Sequence, residues 1–137
     1  MNAKNIVLIA VLLTLSACAG STANPIFNSS VKKAYIYAPG EAATANHGLP
    51  AQFSKATGEV RYCASGLPDL VQSRKKEALA GIAEACGGED KYGIIDELQA
   101  DATGKFMGVD VKCNGNAGRA IYFKCKGVKP RPTGYDK

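Results

Sequence analysis

The residues with the most chemistry to offer in this 137-residue chain are its five cysteines, at positions 18, 63, 86, 113 and 125. None of them forms the Cys-x-x-Cys pair that a zinc ribbon or a thioredoxin-like redox centre requires. The single histidine, His47, sits in Asn46-His47-Gly48-Leu49-Pro50, a turn composition, with no second imidazole to share a metal. A serine or cysteine nucleophile needs a base within hydrogen-bond reach, and a lone histidine in a linker-like stretch is a poor candidate. Asp96 and Glu97 are adjacent in a strand-like run and therefore project to opposite faces, the wrong geometry for a cooperating acid and base. Gly115-Asn116-Ala117-Gly118 lacks the lysine pattern of a phosphate loop and reads as a hairpin turn. No catalytic residue, metal site or organic cofactor is expected.

Two kinds of cysteine chemistry remain. The chain opens with a short segment carrying Lys4, continues through the almost wholly apolar Ile6 to Leu15, and ends in small residues. That charged, apolar, small order is the one a secretory signal peptide uses. A membrane span needs roughly 20 apolar residues, and this run is about half that. The segment ends in Leu15-Ser16-Ala17-Cys18, which resembles the lipobox of bacterial lipoproteins. The resemblance covers the first 20 residues only. It implies cleavage before Cys18, a diacylglycerol thioether on its sulfur and an acyl chain on its new amine. Ala19 and Gly20 follow, with no aspartate, which in that family implies the outer membrane. The expected partners are thus a membrane, through the anchor, and an envelope protein or anionic envelope polymer, but not nucleic acid.

Removing residues 1–17 leaves 120 of 137, room for one small domain. Four cysteines stay behind, and an even number in an exported chain reads as two disulfides. The charge is unevenly spread. Glu84 to Asp101 holds six acids against Lys91, whereas Lys105 to Lys137 holds eight bases against Asp110 and Asp136. Residues 18–58, rich in Ala, Ser, Thr, Asn, Gly and Pro, read as a flexible tether. Within them Ala34-Tyr35-Ile36-Tyr37 has strand character, and is either an added edge strand or loose chain. The disulfide-stapled domain is expected over 59–127, followed by a basic flexible tail over 128–137.

Val60 to Cys63 predicts a first strand. Pro68-Asp69 predicts the start of a helix, with Leu70, Val71, Ala78, Leu79, Ile82, Ala85 and Cys86 on one face and Arg74, Lys75, Lys76, Glu77 and Glu84 on the other. Gly87-Gly88 supplies its left-handed stop. Three strands follow, from Tyr92, from Phe106 to Cys113 and from Ala120 to Lys126, with turns at Asp101–Gly104 and Asn114-Gly115. The fold class is α+β, in the order β-α-β-β-β, with one helix on a mostly antiparallel sheet. A helix over 68–86 is about 27 Å long, while five residues reach back at most about 17 Å. Bonded cysteines stand within about 7 Å, so Cys63 cannot meet Cys86. Alternating the strand directions then puts Cys63 with Cys125 and Cys86 with Cys113.

Alternation along the last strand sends Ile121, Phe123 and Cys125 inward and Tyr122, Lys124 and Lys126 outward. With Lys112, Arg119, Lys129 and Arg131 these make the expected binding surface, a basic face around one tyrosine. A face of this kind also keeps an edge strand from pairing with its neighbours. The expectation is therefore a lipid-anchored, non-catalytic binding or sensing module of the envelope. The competing reading is a structural or assembly accessory of a secretion or pilus-type complex.

Overall fold

The computed structural model describes residues 31–106 and 109–127. Proline at the first turn and Asp69 beside it begin the long helix, Pro68–Cys86, and Gly87 ends it in the left-handed region at φ 84°. A short helix, Glu41–Ala45, precedes it. Among the described residues the strands are β1 (Tyr35–Ile36), β2 (Gly58–Cys63), β3 (Tyr92–Gln99), β4 (Ala102–Phe106), β5 (Val109–Cys113) and β6 (Gly118–Cys125), and the helices are α1 and α2 in chain order. Single 3-10 turns occupy Ala51–Lys55 and Gly115–Ala117. The α+β class and the α2 boundaries expected from the sequence are those observed.

Four strands form one antiparallel sheet in the order β1-β2-β6-β3, and β4 pairs with β5 in a separate hairpin. Because β6 is antiparallel to both β2 and β3, those two run parallel to each other. The α2 crossover between them leaves a one-strand gap that β6 fills. Period-two alternation then serves two layers. Val60, Tyr62, Ile121 and Phe123 pack with Ala78 and Ile82 of α2. On the opposite face Ala120 and Tyr122 are covered by Tyr37, Ala42, Phe53 and Ala56.

This second layer corrects the tether reading for its described part. Residues 34–57 are part of the folded domain: β1 pairs with β2 through Tyr35↔Glu59 and Ile36↔Gly58, and Phe53 is 1% exposed. The segment is short of regular structure but not of large apolar side chains. The buried Asn46 holds it in shape, its amide donating to the carbonyls of Ala42 (2.7 Å) and Phe53 (3.1 Å). Gly58 lets β1 approach β2, since a Cβ there would lie 2.0 Å from the Tyr35 carbonyl oxygen.

The disulfides are Cys63–Cys113 and Cys86–Cys125, with Cα–Cα distances of 5.6 and 5.3 Å. The expected pairs, Cys63–Cys125 and Cys86–Cys113, are therefore corrected, and the cause is a single reversal. Asp101–Gly104 is not simply a turn: Ala102 to Phe106 is a strand that folds back against Val109 to Cys113. The predicted turn and the strand expected after it are thus together a hairpin, the chain reverses once more, and β6 runs opposite to the expected direction. That carries Cys113 to the end of the sheet where β2 stops, and Cys125 to the end where α2 stops. Cys63 joined to Cys86 stays excluded by helix length.

The predicted polar face of α2 also needs one correction. Arg74 shares the buried row with Ala78, Ile82 and Cys86. Its guanidinium donates to the carbonyls of Cys63 (3.2 Å) and Ser65 (2.7 Å), closing off the end of β2, and burial pushes its pKa down.

Candidate functional site

The root of the β4–β5 hairpin is held by a small apolar cluster of Cys63, Ala102 and Cys113, with Ala117 against it. Gly118 makes this crossing possible, because a Cβ there would lie 2.0 Å from the Ala100 oxygen and 2.6 Å from that of Cys113. Beside this root opens a recess of about 410 Å³, lined by Lys32, Arg61, Asp101, Thr103, Lys112 and Asn114 together with Ala102. Three bases face one acid. Thr103 and Lys112 are direct cross-strand partners on the hairpin, so their side chains form one wall. Lys32 enters from the chain just before β1.

Arg61 is fixed from two sides. Its Nε donates to Glu59 Oε1 at 2.7 Å and its Nη1 to the Asp101 carbonyl at 3.1 Å. Glu59, 5% exposed, also accepts the Tyr37 hydroxyl at 2.6 Å. Burial, and after it the bond to Glu59, pushes the Tyr37 phenol far above its ordinary value, so the hydroxyl stays a donor. Tyr37, Glu59 and Arg61 thus form a chain from the covered face of the sheet to the recess wall. A cation held this way loses little freedom when a ligand arrives. Tyr35, beside it, donates its hydroxyl to Glu41.

A second polar cluster lies on the α2 side. Glu97 Oε1 accepts the Tyr62 hydroxyl and Oε2 accepts Lys75 Nζ, both at 2.5 Å. Burial by itself raises the Glu97 pKa, but the bonds from Lys75 and Tyr62 and the charges of Lys75 and Arg119 outweigh it, and the net shift is downward. A depressed carboxyl stabilises the fold above the unfolded value of about 4.3, and this is lost as pH falls through the folded value. Lys75→Ala is expected to move the Glu97 carboxyl titration upward, measured by carbonyl-detected NMR. An unchanged titration would remove Lys75 from this account.

The expected basic face is divided by the fold. Tyr122 is buried rather than outward, its ring edge-on to Phe53 with centroids 4.9 Å apart; the N-terminal layer covers the face that alternation had assigned to solvent. Arg119 is half-buried on the α2 side, donating to the carbonyls of Asn116 (3.3 Å) and Gly118 (3.2 Å), with Glu97 and Tyr62 within its field. Lys112 is exposed in the recess. Lys124 and Lys126 are exposed at the far end of β6, about 23 Å from its start at roughly 3.3 Å per residue. Lys126 there lines a mixed-charge cleft with Glu84, Asp90 and Lys91. Cys18, Lys129 and Arg131 lie outside the described residues.

No protein-family model, curated protein or solved structure matches this chain. Its function is therefore read from the residues alone. Among the described residues no helix is long and apolar enough to cross a membrane, and no group of three or more His, Cys, Asp or Glu is placed to hold a metal ion. His47 is exposed in the turn after α1. Of the recess, the sequence marked only Lys112 as a binding residue, and placed Asp101 and Asn114 in turns. One available signal was Glu59-x-Arg61, an opposite-charge pair two residues apart on a strand and hence on one face. Asp101, Thr103 and Asn114 gave no signal until the hairpin brought them together.

Proposed function

We propose that this chain is a lipid-anchored, non-catalytic binding module of the bacterial envelope, with its recess presented to an anionic envelope partner. The observation that carries this reading is the convergence of Lys32, Arg61 and Lys112 on one recess, with Arg61 held in place by the buried Glu59. Export is supported by the apolar N-terminal segment and by two disulfides, which persist in oxidising compartments. Leu15-Ser16-Ala17-Cys18 supports a diacylglycerol and N-acyl anchor on Cys18. Such multiple acyl chains hold stably where one would hold marginally. The uncharged Ala19-Gly20 supports the outer membrane, with the domain in the periplasm.

Two measurements test this. Cys18→Ser is expected to abolish palmitate incorporation and to leave the chain unprocessed or released from membranes; label that survives would sink the anchor. The anchored full chain is also expected to retain acidic envelope polymers at low salt and release them as salt rises, because the screening length is only about 8 Å at physiological ionic strength. Lys32→Glu with Lys112→Glu should weaken that retention. Retention unchanged by this double reversal would remove the recess from the function.

A further inference from the structure

The recess carries more information than its net charge. A site built for a bare oxyanion gains from every cation and loses from every carboxylate, yet Asp101 stands among the three bases. Its Oδ1 accepts the Gly115 N–H at 3.1 Å, which fixes the carboxylate at the mouth of the β5–β6 turn. A carboxylate there repels an incoming anion and accepts hydrogen bonds from hydroxyl groups. Thr103 and Asn114 add a hydroxyl and an amide, each able to donate and accept. At about 410 Å³ the space exceeds what a tetrahedral anion fills and lies at the small end of ligand sites, which run from about 300 to 1,000 Å³. Cations, one fixed carboxylate and neutral hydrogen-bonding groups around a volume of this size fit a ligand that is charged at one end and hydroxylated at the other.

We propose that the recess binds a single anionic sugar unit, a hexose-sized ring bearing a phosphate or carboxylate group. The guanidinium of Arg61 and the ammonium of Lys112 meet the charged group, while Asp101, Thr103 and Asn114 meet ring hydroxyls. This rests on the binding-module reading and deepens it, by naming what part of an envelope polymer is held. It accounts for the acid that a purely electrostatic patch would not contain. It also gives the Tyr37–Glu59–Arg61 chain a purpose, since a planar cation that presents its donors in one orientation favours a ligand with a defined anionic group.

The test uses the full chain in detergent micelles at low salt, with saturation-transfer NMR reading the ligand protons and phosphorus NMR reading inorganic phosphate. The probes are glucose 6-phosphate, glucuronate, glucose and inorganic phosphate. Glucose 6-phosphate, glucuronate or both are expected to bind about tenfold or more tightly than glucose and than inorganic phosphate, the scale of one charge-assisted hydrogen bond. Which of the two binds identifies the phosphate or the carboxylate source. Lys112→Ala, on the exposed hairpin, should weaken sugar-acid binding by about tenfold with melting unchanged. Arg61→Gln should do the same, and Lys112→Ala carries the test if Arg61→Gln loosens the fold through Glu59. Asp101→Asn is the deciding variant: it should weaken the sugar acid while strengthening inorganic phosphate. Inorganic phosphate binding as tightly as the sugar acids, or Asp101→Asn strengthening both, would overturn the proposal. Acidic polymers still retained while no sugar acid binds would overturn this inference alone and leave the binding module standing.

Discussion

Non-reducing peptide mapping of the oxidised chain is expected to return Cys63 joined to Cys113 and Cys86 joined to Cys125. Reduction of both is expected to unfold the domain. The bridged residues are 50 and 39 apart in sequence, and cross-links of that span correspond to about 4 kcal/mol each in the chain-entropy treatment. Small domains have net stabilities of about 5–15 kcal/mol, so losing both links removes an amount comparable with the whole. The two differ in what they hold. Cys63–Cys113 ties the hairpin to the end of β2, and among the described residues β4 and β5 pair only with each other. Cys86–Cys125 ties the end of α2 to the end of β6. Cys63→Ala with Cys113→Ala should therefore free the hairpin first, seen as faster amide exchange over Ala102–Cys113 than over β6. Cys86→Ala with Cys125→Ala should lower the melting of the sheet and α2 together. Recovery of a Cys63–Cys125 peptide would overturn the strand directions described here.

That pairing is also where sequence reasoning stopped. The helix was legible to the residue because its signals are local: proline and an acid at one end, two glycines at the other. β6 was legible because Ile121 and Phe123 alternate with polar residues, and the α+β class followed from the order of the elements. The hairpin was not, because Asp101-Ala102-Thr103-Gly104 has the composition of a turn, and its strand geometry comes from partners up to eleven residues away. One missed reversal then exchanged both disulfide partners. Tyr122 was misplaced for a different reason. Alternation gives two faces to a strand but does not say that both are covered. In this domain the second cover comes from a segment whose Ala, Asn and Gly content imitates a linker. The recess was illegible for the same reason as the hairpin, since it exists only once β2, the hairpin and the chain before β1 are brought together.

Phe53→Ala is expected to destabilise the domain by about 3–5 kcal/mol, the usual range for emptying a buried phenylalanine site. For a domain of this size that corresponds to a melting temperature lower by roughly 15–25 °C. The expectation rests on position. Phe53 lies in a five-residue 3-10 turn, Ala51–Lys55, yet it is among the largest side chains that are fully buried. Its ring meets Tyr122 edge-on, and Ala42, Ala56 and Tyr37 belong to the same cluster. If residues 34–57 were a tether, Phe53 would be exposed and the substitution would change stability by no more than about 0.5 kcal/mol. The two accounts therefore differ by several-fold in one measured number. Tyr122→Ala should cost a similar amount, and the double variant less than the sum, because ring pairs of this geometry couple by about 0.5–1.5 kcal/mol. Additivity of the two would mean that the rings do not touch. Loss of this layer also reaches the recess, since Tyr37 belongs to it and holds Glu59, which holds Arg61. A chain beginning after residue 57 should accordingly lose both its stability and its affinity for anionic partners, measured by calorimetry and by polymer retention. Full stability of that shorter chain would return the N-terminal segment to the role of a linker.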